Sequence, residues 1–279
     1  MNILDTVPYF LEKMDGEIDT LRRYHNEYSG SFIEYFAYHC KDSEERLISA
    51  LNQYPSCLAD IRLTHKRISP IIHECVGEYE RLFGLEFPIN VNLIVGGFGS
   101  NAYTHREIIP DITFALERLS PVSRHLKTIV AHEFGHAAQN ILSDRAGMVW
   151  NRLNWNSPLV WMNQEGAATH FSRRVVRGLP PSVYFHFNEE GTDWLSFAEA
   201  HTSEMKQAFI EDVSTHSPVE VFGEWFSIRG GRRFGFNRLG YYLGDAFFQH
   251  QVKEQGEEKA ILAWKEPNFE DHVWSWLEE

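Results

Sequence analysis

Apolar and polar positions alternate along Ile89-Asn90-Val91-Asn92-Leu93-Ile94-Val95, the two-residue period of a strand. Gly96-Gly97-Phe98-Gly99 breaks the pattern as a turn or bulge, because the lysine and following helix of a phosphate loop are missing. Asp111 to Leu116 reads as a second strand. The period then changes. Val122, Leu126, Ile129, Val130, Ala137 and Ile141 recur at helical spacing after Ser120-Pro121, a cap followed by a first-turn proline. This predicts a helix over about 121–142. Ser157-Pro158 opens another, over about 158–176, which stops before Gly178-Leu179-Pro180-Pro181.

The flanks are more helical still. Residues 1–86 read as helices over 31–40, 42–53 and 56–83, the last bent at Pro70. Beyond Pro181, helices are expected over 193–212 and 238–252, with short helical pieces at 261–264 and 271–277. Val219 to Ile228 is expected as a strand, with Gly230-Gly231 as its hairpin turn. The fold class is therefore α+β and mostly helical. A helical N-terminal region (1–86) precedes a domain (87–279) with a small mixed or antiparallel sheet over about 87–117 and a helical C-terminal part over 193–279.

Candidate chemistry sits in the first of the two central helices, at His132-Glu133-Phe134-Gly135-His136. Residues four apart share one helix face, so two imidazoles one turn apart can grip one metal ion. Glu133 lies beside them as a general base, which makes the motif an HExxH zinc-hydrolase pattern. Two core or surface histidines are the bland alternative. Small residues (Ala131, Gly135, Ala137, Ala138) let another element approach the metal face.

Zinc needs a third protein ligand and an open position. The extended HExxHxxGxxH form is excluded, because Gln139 and Leu142 stand where its glycine and third histidine belong. Glu165, followed by Gly166-Ala167-Ala168, fits as a carboxylate ligand from the second helix. Asp144 is too near the motif helix to curl back, His170 lies on another helix face, and His201 has no small-residue surroundings. Thr169 is placed to accept from a ligating imidazole.

The combination HExxH with Glu165-Gly166-x-Ala168 resembles the gluzincin metallopeptidases. More narrowly, it is similar to a bacterial family of predicted zinc-dependent proteases that ends in a G-Y-x-x-G helix, matched by Gly240-Tyr241-Tyr242-Leu243-Gly244. The resemblance spans roughly residues 85–265. It implies a zincin-like catalytic domain and a Zn²⁺ ion on His132, His136 and Glu165. It implies peptide or protein substrates, with Tyr241 stabilising the oxyanion ahead of Tyr242 and His201. It also implies that the strand over 111–116 borders the cleft as an edge strand. Two other readings stand beside it: a non-catalytic binding or regulatory protein on the same scaffold, and a different metalloenzyme with two histidines and one carboxylate.

Composition narrows the partners. The net charge of −13 argues against nucleic acid and anionic membranes, and favours basic or amine-bearing substrates. Arg173-Arg174 with Arg177, and Arg229 to Arg233, read as solvated faces or a receiver for a carboxylate. No apolar run reaches membrane-helix length. The acidic first twenty residues lack a secretory pattern, so a cytoplasmic setting is expected. Cys40, Cys57 and Cys75 are read as reduced thiols. Oligomeric state is not legible.

Overall fold

The computed structural model describes residues 1–279. It is mostly helical, with one four-stranded mixed sheet. No helix is long and apolar enough to cross a membrane. The chain forms two compact units, residues 1–137 and 138–279.

The first unit holds the sheet. Its strands are β1 (Asn2–Asp5), β2 (Asn90–Ile94), β3 (Ala102–Thr104) and β4 (Ile112–Ala115), in the order β1-β2-β4-β3. β1 and β4 run parallel to β2, and β3 runs antiparallel to β4. β2 and β4 are the inner strands and are almost wholly buried. Burial brings two polar side chains inside with partners: Asn92 accepts from the Ser31 hydroxyl, and the Thr113 hydroxyl pairs with His105 Nε2.

Helices α1 (Val7–Lys13), α2 (Ile18–Glu27), α3 (Ser29–Glu34) and α4 (Glu44–Phe83) complete the N-terminal part, with a π-helical turn over Tyr35–His39. The two helices expected over 42–53 and 56–83 are one 40-residue helix. Pro55 and Pro70 are accommodated inside it, and Gly84 ends it in the left-handed region at φ 62°. β1 was not foreseen, since its four residues carry too little alternation to register. Helix α5 (Ser123–Arg145) contains the HExxH residues. Phe134 on this helix packs edge-on against Phe87 with ring centroids 4.9 Å apart. The Tyr79 hydroxyl of α4 donates to the Ala131 carbonyl at 2.6 Å, just before His132.

The second unit is helical: α6 (Pro158–Val175), α7 (Val183–His186), α8 (Thr192–Ala200), α9 (Thr202–Thr215), α10 (Pro218–Trp225), α11 (Leu239–Gln255), α12 (Glu257–Leu262) and α13 (Phe269–Glu278). Its core gathers Trp194, Phe209, Trp225, Phe247, Trp264 and Trp276. Two expectations are corrected here. The helix expected over 193–212 is two helices meeting at His201. The strand expected over 219–228 is helix α10, because Ser217-Pro218-Val219-Glu220 forms a full capping box with proline in the first turn. Gly231 forms no hairpin turn; at φ 81° its N–H bonds the Glu224 carbonyl at 3.0 Å, closing the loop after α10.

Helices α6 and α11 make the closest approach in this unit. A Cβ on Gly166 would stand 2.1 Å from the Gly244 carbonyl oxygen, and one on Gly244 would stand 2.1 Å from the Met162 carbonyl oxygen. Backbone meets backbone where the two sequence motifs place their glycines.

Gly166→Ala should therefore lower the unfolding free energy by about 1–3 kcal/mol through overpacking. Gly77→Ala in α4, where a Cβ meets nothing within 4 Å, should raise it by about 0.5–1 kcal/mol. Urea unfolding of the two variants reads both signs.

Candidate metal centre

Helical spacing puts His132 and His136 one turn apart on α5, with ring centroids 5.0 Å apart and planes at 87°. His132 is buried at 2 % exposure, and His136 is half-buried. Glu165, half-buried on α6, joins them: one ligand atom from each of the three residues lies within 4.8 Å of the others. Around a tetrahedral zinc with bonds of ~2.1 Å, ligand atoms stand ~3.4 Å apart, so side-chain rotations of about an ångström close the set. Two imidazoles and one carboxylate are a donor set that zinc accepts with a position left open. The residues present therefore fit the ion that the sequence pattern implies.

The expected base, Glu133, is 8 % exposed and has a defined neighbour. Thr104, at the end of β3, donates its hydroxyl to the Glu133 carboxylate at 3.0 Å and lies 3.2 Å from the Glu133 carbonyl. A hydroxyl donating to a carboxylate is a charge-assisted contact worth about 1.5–3 kcal/mol. It fixes the rotamer of the side chain that follows His132 in sequence. Sequence reasoning missed Thr104, because a three-residue strand after a glycine run carries no periodic signal.

β3 is also the sheet edge on this side. The strand expected to border a cleft, over 111–116, is β4 and lies inside the sheet, paired on both sides. The chain reverses between β3 and β4, so the later strand pairs inward and the earlier one takes the rim. Only Tyr103 of β3 turns its backbone groups toward β4, since bonded pairs alternate along the antiparallel ladder. The N–H and C=O of Ala102 and Thr104 face the outer edge. The Tyr103 ring stacks on His39, with centroids 3.6 Å apart and planes 13° apart. Burial holds the His39 imidazole down at a pKa of about 4.

The loop that delivers β3 is fastened by Glu117. Its carboxylate accepts the Gly96 N–H at 2.8 Å and the Phe98 N–H at 3.1 Å. The Tyr35 hydroxyl accepts the Gly99 N–H at 3.0 Å, and Tyr54 donates to the Gly96 carbonyl at 2.8 Å. A Cβ on Gly96 would meet the Tyr35 hydroxyl at 2.4 Å, so the glycine run is a close-packing device. The break expected at this place is a bend at Gly97–Phe98, with Phe98 at φ 58°. Burial outweighs the two backbone donors and pushes the Glu117 carboxyl up to about 6.

Other expected residues are placed as follows. Tyr241, in the first turns of α11, is half-buried, with its ring 6.4 Å from Phe226 and the Arg238 guanidinium 5.4 Å from its centroid. The Tyr242 hydroxyl pairs with Thr202 at 3.0 Å. His201 pairs with Glu204 at 3.1 Å. His170 bonds Glu257 at 2.7 Å, so it is engaged away from the ligand set. Thr169 is fully buried on α6. Among the basic clusters, Arg173 pairs with Asp245, Arg174 with Glu257, and Arg233 with Glu211 and Asp212. Cys40, Cys57 and Cys75 are all free thiols.

Compared with known proteins, the chain matches no family model, no curated protein and no solved structure.

Because the folded-state pKa of Glu117 lies above its ordinary 4.5, its ionisation costs stability. The stability associated with the protonated carboxyl is full below about pH 4.5 and is lost as pH rises through about 6. Glu117→Gln removes the titration. The unfolding free energy of the wild type relative to this variant should fall by about 2 kcal/mol between pH 4 and pH 7 in paired urea titrations.

Proposed function

We propose that the chain is a zinc-dependent peptide hydrolase of the gluzincin kind, with a zincin-like catalytic domain. The observation that carries this reading is the grouping of His132, His136 and Glu165, whose ligand atoms lie within 4.8 Å of one another. Glu133, next in sequence to one of them, supports a hydrolytic reading over mere metal storage.

A zinc ion held there supplies Lewis acidity, making a water more acidic and a carbonyl more electrophilic. The protein's own groups do the rest. The Glu133 carboxylate takes the proton of the attacking water and returns it to the leaving amine. Thr104 holds that carboxylate in one orientation, so the base is aimed before substrate arrives. The outer edge of β3, with the Ala102 carbonyl and the Thr104 backbone turned outward, offers main-chain pairing to an extended peptide, while the Ala102 N–H is held by the Asn101 side chain at 2.9 Å. Tyr241 is assigned as the donor to the developing oxyanion.

The ligand and base roles separate in two variants. Glu165→Ala should lower zinc affinity by more than the ~10–100-fold that losing an outer partner costs. Glu133→Gln should keep stoichiometric zinc and lose at least ~100-fold in peptide hydrolysis. Metal analysis together with turnover of a peptide library reads both. Zinc retained by the first variant removes the ligand, and activity retained by the second removes the base.

Thr104→Val should retain zinc and lower kcat by about 10–150-fold, the rate equivalent of one charge-assisted hydrogen bond. Thr104→Ser should restore most of it. Equal kcat in the valine variant and the wild type would show that the Thr104 contact does not aim the base.

A further inference from the structure

One run of aromatic surface in the second unit has no structural need to be exposed. Trp161 lies on α6 one turn before Glu165, hence on the same helix face as the proposed ligand. Its ring meets Phe222 of α10 edge-on at 5.4 Å and Phe226 at 6.2 Å. Phe226 stacks on Phe222 at 6.0 Å and reaches the Tyr241 ring at 6.4 Å. The rings thus form a continuous shelf from α10 across Phe226 to Tyr241, flanking the turn that carries Glu165.

The shelf is open on one side. Phe222 is 48 % exposed, and Val219, one turn earlier on α10, is 79 % exposed. Trp155, whose carbonyl takes the Trp161 indole N–H at 2.8 Å, is 39 % exposed. The other Phe, Tyr and Trp rings of this unit are buried or half-buried, which leaves Phe222 and Trp155 as its exposed ones. Charge does not compete for the surface on α10. The Glu220 carboxylate is turned back onto Ser217, accepting from its N–H at 2.9 Å and its hydroxyl at 2.6 Å.

We infer that this shelf is the main specificity surface of the proposed site, receiving an aromatic or large aliphatic side chain of the bound peptide. The inference rests on the hydrolase reading for its place beside Glu165, and on ring geometry and exposure for its chemistry. An apolar occupant follows from the exposed Phe222–Trp161 end of the surface, where rings recognise area and shape, while the Arg238 guanidinium lies 5.4 Å from the Tyr241 centroid at the other end of the shelf. Covering one large side chain there contributes roughly 1.5–3 kcal/mol, a preference of about 10–100-fold.

Two measurements on the full chain test it. In the first, the zinc-loaded protein cleaves a peptide library degenerate around the scissile bond. The expected result is a preference of tenfold or more for Phe, Tyr, Trp or Leu at one position. Phe222→Ala should reduce that preference, and Phe222→Leu should keep it. In the second, the Glu133→Gln protein is titrated with acetyl-Ala-Phe-Ala-amide and acetyl-Ala-Ala-Ala-amide, followed by tryptophan fluorescence. Only the phenylalanine peptide should bind measurably, with the difference lost in Phe222→Ala. Hydrolysis with no side-chain preference overturns the shelf and leaves the hydrolase reading standing. Phenylalanine-selective, Phe222-dependent binding without hydrolysis upholds the shelf and overturns the hydrolase reading. Neither binding nor hydrolysis overturns both.

Discussion

Everything in the second unit is arranged around a place where no side chain fits. Gly166 and Gly244 bring the backbones of α6 and α11 together so closely that a methyl on either would overlap a carbonyl oxygen. Helices in contact through backbone have little freedom to slide, since any shift drives the neighbouring side chains into the partner. Glu165 is the residue next to this contact, and Tyr241 is one turn before it on the other helix. The proposed ligand and the proposed oxyanion donor are thus indexed to one crossing. The cost is two glycines in helix interiors, about 1 kcal/mol each in conformational entropy, which the tight packing offsets.

The first unit solves a different problem. The proposed general base, Glu133, has to be ionised, aimed and near water, and a loose carboxylate meets none of these reliably. The solution runs through a chain of short contacts: Glu117 and Tyr35 fasten the glycine loop, the loop delivers β3, and Thr104 at the end of β3 holds Glu133. The buried Glu117 carboxyl is the expensive member, since burial raises its pKa despite two backbone donors. Retaining it is explicable if the alternative, two unsatisfied backbone N–H groups inside the protein, costs as much or more.

The HExxH spacing and the Glu165 helix are legible in sequence through helical periodicity; the small residues after Glu165 point to a tight contact, but with α5 as its partner, whereas Gly166 meets Gly244 of α11. Helix α5 begins at Ser123, two residues beyond the expected start, and α6 spans Pro158–Val175 almost as read. The missed strands share one cause. β1 and β3 are three or four residues long, too short for alternation to show, and their existence depends on partners far away in sequence. Thr104 and Glu117 act through tertiary contacts of 29 residues (to Glu133) and about 20 residues (to the loop), so no local pattern could flag them. The α10 error is different, because its capping box was readable. Val219, Val221 and the aromatic residues alternate as a strand would, but the Ser217-Pro218-x-Glu220 cap decides the element.

Aiming and selection thereby rest on separate packing devices. Thr104 acts on Glu133 through a strand of the sheet, whereas Trp161 and Phe222 belong to helices whose positions follow from the Gly166–Gly244 crossing and the Ser217 cap. Groups with no shared partner contribute additively to a good approximation. A substitution on the aromatic shelf then leaves the Thr104–Glu133 contact in place, and the converse holds for Thr104. On the proposed reading, such independence would let the scaffold change substrate by substituting exposed residues on α10 while the proposed base keeps its orientation. It also explains how Phe222 and Val219 can stay exposed at little cost to the fold: the helix that carries them is anchored from its opposite face by Val221 and Trp225, both fully buried, with the Trp225 indole N–H donating to Asp212 at 2.7 Å.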